Sequence, residues 1–314
     1  MDKKYIDTQG SKPCNIGGQA VIEGIMMRGK NMYSLAVRNQ DGGIELDNKE
    51  IKPLSTKYKF FGIPIIRGVV AFIDSLVLGV KIIAKSVEMS GLEEGEPGRF
   101  EQFLERKFGD KLNKVIMGFV MVVSLALSVG LFMILPVFLG SLFNRIPFVY
   151  NNTWILGILE GFIRLFLFML YIFLISKSKD MQRTFQYHGA EHKAINCYEH
   201  EEELVVENVK KYSRLHRRCG TSFLLFVMLI SMIFFLFVST NTLLMRVATR
   251  VLFVPLIAGL SYEVLKLAGR SQSKIVEILS KPGIALQKMT TKEPDDLQIE
   301  CAIVAMQEVL KSEE

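Results

Sequence analysis

Residues 115–139 read VIMGFVMVVSLALSVGLFMILPVFL, without a single charged side chain. A helix rises about 1.5 Å per residue, so a run of this length crosses the ~30 Å hydrocarbon core of a bilayer. Working outward, residues 153–175 form a second apolar run, interrupted by Glu160 and Arg164. Residues 223–238 form a third, short but free of charge, and 243–267 a fourth, with Arg246 and Arg250 near its start and Glu263 near its end. One such run could be a helix buried in a soluble core. Four of them in 314 residues, half of which are hydrophobic, predict an α-helical multi-pass membrane protein with about four transmembrane helices. The mean hydropathy of +0.28 agrees.

Lysine and arginine set the expected orientation. They are abundant in 1–114, 176–222 and 268–314, whereas the connections 140–152 and 239–242 carry Arg145 alone. The positive-inside rule then places both termini and the 176–222 loop in the cytoplasm, on the inner face of the cell membrane. The N-terminus has charge but no apolar core of a signal peptide. Cys14, Cys197, Cys219 and Cys301 therefore meet reducing solvent and are expected as free thiols. The net charge of +6 suits this topology and the anionic lipid surface. The sequence has no alternating basic and aromatic pattern that would point to nucleic acid.

These signals divide the chain into a cytoplasmic β unit at 1–59 and an interfacial helix with a linker at 60–113. A transmembrane region at 114–267 follows, with its cytoplasmic histidine loop at 176–222, and then a cytoplasmic helical tail at 268–314. Within the β unit, Tyr33–Arg38 and Gly43–Leu46 flank Asn39-Gln-Asp-Gly42, a turn signal for a hairpin. Residues 60–89 are helical in pattern, but Arg67 and Asp74 leave too short an apolar stretch to span, so this helix is placed at the membrane surface. The run 153–175 continues without a breaker into the histidine loop, and one helix is expected to carry both. In the tail, Lys281-Pro-Gly283 is expected to end a helix. Glu293-Pro-Asp-Asp296 then starts another, whose apolar face of Leu297, Ile299, Ala302, Ile303, Met306 and Leu310 docks on the cytoplasmic domain.

All four histidines, His188, His192, His200 and His216, lie between positions 188 and 216. Two of them frame His188-Gly189-Ala190-Glu191-His192. On a helix, positions i and i+4 share a face, so both imidazoles can address one ion, and Glu191 beside them can reach a water there. This is the His-x-x-Glu-His order of the inverzincin peptidases. Gly189 costs a helix about 1 kcal/mol relative to alanine, and a close backbone approach would account for it. A catalytic zinc usually takes three protein ligands and a water. Two completions are open. Glu263, on the same side of the membrane by topology, supplies an oxygen, or His216 and Cys219, with Cys197, build a closed structural cage. Of the basic residues around the pentad, Arg217 and Arg218 are the candidates to steady a developing oxyanion, although positive-inside residues belong in this loop in any case.

Six separated segments carry a family resemblance: IGGQAVIEGIMMRG at 16–29, RGVVAFIDSLVLG at 67–79, YHGAEHKAINCYE at 187–199, HRRCGTSF at 216–223, SYEVLK at 261–266 and TTKEPDDLQIECAI at 290–303. In this order they resemble the YqhQ-like bacterial membrane proteins, and the match runs along nearly the whole chain. The resemblance implies a multi-pass membrane protein with a suspected metal site. It marks Gln19, Glu23, Arg28 and Arg67 as motif residues, which makes the β unit a candidate wall of that site. The chemistry expected from the residues is zinc-assisted hydrolysis of a peptide near the membrane or of a lipid-linked ester. His188, His192 and Glu263 would be ligands and Glu191 the base. The alternative is a non-enzymatic membrane scaffold or assembly factor that engages a membrane protein or a second copy of itself.

Overall fold

The computed structural model describes residues 14–51, 59–91, 112–143, 146–150, 152–217, 219–238, 242–270 and 274–313. By backbone contacts the chain divides into two units. One comprises 1–91, 171–230 and 255–314, and the other 92–170 and 231–254.

The first unit is built on an antiparallel sheet in the order β1 (Gly17–Val21), β2 (Gly24–Arg28), β3 (Met32–Arg38) and β4 (Ile44–Glu50). The expected hairpin at 39–42 joins β3 to β4, with Arg38 opposite Ile44. The stretch 19–28 holds the end of β1 and all of β2. Ile22 and Glu23 make a tight turn, and Glu23 adopts a positive φ of 52°. Neither residue is a turn former, and side-chain contacts reinforce the bend that the Val21–Gly24 pairing closes. Arg183 ion-pairs with the Glu23 carboxylate, and the Tyr187 hydroxyl donates to it at 3.2 Å.

Strand alternation assigns the two faces of the sheet. Ile25, Met27 and Ala36 join the cluster formed with α6 (Lys179–Glu199) and α11 (Asp296–Lys311). Met26, Leu35 and Val37 join Ile82 and Met89 of α1 (Ile66–Ser90) on the opposite face. α11 begins as expected. Asp295 caps it, accepting from the Gln298 amide at 2.8 Å, while the Gln298 side chain returns to the Asp295 amide at 3.0 Å. Ile299, Ala302, Met306 and Val309 are then fully buried, the larger of them contributing ~1.5–3 kcal/mol each. α1 also leaves Ile73, Leu76 and Val77 half exposed.

In the second unit, α2 (Leu112–Val129) passes through a π-helical turn at Gly130–Ile134 into α3 (Leu135–Leu142). Pro136 lies just beyond that turn. It has no N–H to give the ladder, and a local widening absorbs the misfit. A short α4 (Pro147–Tyr150) leads to α5 (Thr153–Ile175). The remaining helices are α7 (Val206–Val209), α8 (Gly220–Leu236), α9 (Leu243–Arg270) and α10 (Lys274–Thr290).

Among the described residues, three helical stretches are long and apolar enough to cross a membrane: Gly118–Leu142, Trp154–Ile175 and Leu244–Leu267. The expected third run is an apolar helix at Phe223–Leu236, shorter than the others. Two further expectations are corrected. α5 does not run on into the histidines. It stops at Ile175, where the Ser176 hydroxyl turns back to the Phe173 carbonyl, and Ser178 is extended before α6 starts. Nor does Pro282 end its helix, because α10 runs through it. The ~3 kcal/mol that an internal proline costs is offset by the buried Leu286, Gln287 and Thr290 of its second half. Past Gly91, the expected linker lies outside the described residues.

Candidate metal centre

α6 supplies the pentad. Between Tyr187 and Cys197 it is buried almost throughout, since it fits between the sheet, α11 and the segment 210–216. That segment has no regular structure of its own. α6 satisfies its carbonyls in succession. Lys193 Nζ, with no exposed surface, donates to the carbonyls of Lys210 at 3.1 Å and Tyr212 at 2.8 Å, and pairs with Glu293. Asn196 donates to Ser213 at 2.7 Å and Leu215 at 3.1 Å. The chain is thereby laid along α6 and delivers Cys219 beside the pentad.

The two pentad rings stand 4.4 Å apart between centroids. Each Nδ1 lies against a backbone carbonyl, His188 on Thr290 at 2.8 Å and His192 on Arg214 at 2.7 Å. A carbonyl can only accept, so Nδ1 is the protonated nitrogen in both rings. In the neutral tautomer Nε2 then carries the lone pair, as the outer partners of metal-ligating histidines arrange it. His188 Nε2 is 3.3 Å from Cys219 Sγ. His192 Nε2 is buried without a hydrogen-bond partner. One ligand atom from each of His188, His192 and Cys219 lies within 4.8 Å of the others. Donors on one tetrahedral zinc are separated by roughly 3.5 Å, so small side-chain adjustments would bring this set into range.

The electrostatics suit a cation. Burial opposes ionisation of Cys219, yet the adjoining His192 and His188 imidazoles hold its thiol well below the usual value. The Thr221 amide, in the first turn of α8, donates to Sγ at 3.3 Å and helps in the same sense. Burial would lower His188, but its hydrogen bond to Cys219 outweighs this and raises it to about 9. Burial pushes the Glu191 carboxyl above its ordinary range.

These groups line a cavity of about 320 Å³, walled on one side by Gly17, Gly18 and Gln19 of β1. Gly18 lets the Glu191 side chain lie against β1, because a Cβ at that position would sit 2.7 Å from the Glu191 carboxyl carbon and displace it. Gly189 has the close approach expected of it: a Cβ would fall 2.1 Å from the Lys292 carbonyl oxygen. The segment 290–293 thus buttresses the pentad, anchoring His188 through Thr290, Arg214 through Thr291 and Lys193 through Glu293. The motif at 290–303 was the only sign in the sequence that this stretch serves the site.

The other candidates lie elsewhere. Glu263, expected as third ligand, is not brought to the histidines. Arg67 takes its two carboxylate oxygens, Nε at 2.7 Å and Nη2 at 2.5 Å, and the Ile65 amide is 3.4 Å away. His216 is beside the triplet but outside it, with its ring 5.8 Å from that of His192 and Nε2 3.3 Å from Glu199. Its backbone is clamped in both directions by Gln287. Cys197 points at the Glu202 and Glu203 carbonyls, and burial pushes its thiol up to about 12, so it is no thiolate at neutral pH. Arg217 does not line the cavity, and Arg218 lies outside the described residues. Gln19 lines it, while Glu23 is engaged with Arg183 and Tyr187.

Fold and site together define a largely helical protein with long apolar helices, a small antiparallel sheet and a buried His–His–Cys cluster beside a glutamate. The family described as "Protein of unknown function (DUF1385)" matches residues 63–312, and the chain belongs to it. The chain is also 40% identical over 307 residues to the "Uncharacterized protein YqhQ" of Bacillus subtilis (strain 168), covering 96% of this chain and 94% of that one. No solved structure matches.

Proposed function

We propose that the protein is a multi-pass enzyme of the bacterial cell membrane, with a metal-dependent hydrolase site on the cytoplasmic face. His188, His192 and Cys219 would hold the ion, zinc by its donor chemistry. The observation that carries this reading is the convergence of one ligand atom each from His188, His192 and Cys219, together with a buried, unpartnered Nε2 on His192. A buried histidine nitrogen without a partner is costly unless something occupies its lone pair. Three donors beside an open cavity match a catalytic site rather than a closed cage, which needs four. Zinc bound there would act as a Lewis acid and lower the pKa of a nearby water. Glu191 would take a proton from a water in the cavity and return it to the leaving group, and the burial that raises its pKa favours the protonated form needed for the second step. The substrate is a peptide or a lipid-linked ester presented at the membrane.

A second reading is favoured by the 3.3 Å between Cys219 Sγ and His188 Nε2. This pair would make a thiolate nucleophile with its imidazole partner. Alkylation separates the two readings. In the metal reading, Cys219 of the purified protein resists iodoacetamide and becomes reactive once phenanthroline strips the ion. In the nucleophile reading it reacts equally with and without chelator. Glu191→Gln should retain the metal and lose hydrolysis of whichever peptide or ester the unmodified protein turns over.

A further inference from the structure

The second unit buries a group of charges that the metal centre does not use. Glu160 of α5 pairs with Arg250 and, at 3.2 Å, with Arg246, both from α9. Arg164, one turn after Glu160 on α5, donates to Ser231 Oγ of α8 at 2.9 Å. The Phe235 ring lies under both Arg164 and Arg250, 5.9 Å and 5.4 Å from their guanidinium carbons. Glu160, Arg164 and Arg250 are each more than nine-tenths buried. Among the described residues, three guanidinium groups face one carboxylate, which makes this group of side chains cationic. Its donors are not exhausted either: Nε of Arg164 and Nη1 of Arg250 are buried and donate to nothing.

A surplus of positive charge at low dielectric is expensive, and so is each idle donor. An anion would relieve both costs. The position of the cluster helps to choose among anions. Glu160 and Arg250 each lie six residues inside the start of an apolar stretch, Trp154–Ile175 and Leu244–Leu267, or roughly 9 Å at 1.5 Å per residue. On the membrane reading above, that is within the third of the hydrocarbon core next to one face, from which an arginine side chain can extend towards the headgroup boundary and a lipid phosphate. Guanidinium forks match the oxygens of a phosphoryl group, and arginine is the residue of choice for it.

We infer that Arg164, Arg246 and Arg250 form a binding site for a phosphoryl group, with Glu160 holding the arginines in place. The anion is the phosphate of an anionic lipid or a free phosphoanion of the same chemistry. The test uses full-length protein in an uncharged detergent and follows its unfolding temperature. Phosphatidylglycerol, phosphatidylcholine, and sodium phosphate against sodium chloride at equal ionic strength are added in turn. Phosphatidylglycerol should raise the midpoint and phosphatidylcholine should not. Arg246→Gln, at the most exposed of the three arginines, should raise the half-saturating phosphatidylglycerol concentration at least about tenfold, the factor that one lost charge-assisted contact implies. Glu160→Gln keeps an acceptor oxygen to position the arginines but removes the competing negative charge, so it should bind more tightly even where it lowers the starting midpoint. A response to sodium phosphate without preference between the lipids keeps the site and identifies a free phosphoanion. Equal responses to both lipids with none to phosphate would overturn the proposal. So would an Arg246→Gln or Glu160→Gln protein that responds as the unmodified chain does.

Discussion

Cys219 and Glu263 competed for the same role in the sequence, and spacing alone could not choose between them. Cys219 lies 27 positions after His192 through a loop without periodicity, so nothing local aims its sulfur at the pentad. Glu263 had the right residue type and the right side of the membrane, but Arg67, from a segment almost two hundred residues earlier, satisfies its charge. Long-range pairing of this kind is invisible to a pattern read along the chain. What could be read was the pentad itself, because positions i and i+4 depend only on helix geometry. The thiols give a pH test at this scale. Cys219 is held well below the usual thiol value, whereas burial raises Cys197 to about 12 and Cys301 to about 11. After metal is stripped, the iodoacetamide reaction at Cys219 should therefore stay nearly constant from pH 9 down to about 7. Cys197 and Cys301 should remain unlabelled throughout that range while the protein is folded. Peptide mass spectrometry reads the three sites separately, and a tenfold fall at Cys219 for each pH unit would show an ordinary thiol.

At the scale of elements, helices and the β3–β4 hairpin were legible because amphipathic period and turn chemistry are local. The misses occurred where tertiary contacts override local preference. Pro282 is carried inside α10 by the packing of the residues that follow it. The interruption at 176–178 was signalled only by two serines in a stretch otherwise compatible with helix. Gly189 is the counterexample, where a local anomaly correctly announced a long-range contact. Gly189→Ala should drive α6 away from the 290–293 segment, because the obstacle is backbone rather than a movable side chain. The expected cost is at least ~1–3 kcal/mol of stability, the range for overpacking. Loss of metal should accompany it, since His188 leans on the same segment. Denaturant unfolding and metal analysis of one preparation would check both parts, and an alanine variant as stable and as metal-rich as the parent would refute the packing argument.

For the whole molecule, three helical stretches carry the membrane reading by length and composition, and the outward-facing Phe119, Val122, Leu125 and Leu127 of the first suit contact with lipid. Orientation rests on the lysine and arginine distribution. Reporter fusions at position 190 and at the C-terminus should both give cytoplasmic signals, and an external signal at 190 would remove the site from the inner face. The central claim is the ligand set, and the direct measurement is metal content by elemental mass spectrometry on full-length protein purified without chelator. The account predicts about one zinc per chain in the unmodified protein and in Glu263→Ala, and almost none in His188→Ala, His192→Ala and Cys219→Ser. A folded, metal-free parent, or metal that survives Cys219→Ser and is lost in Glu263→Ala, would contradict it.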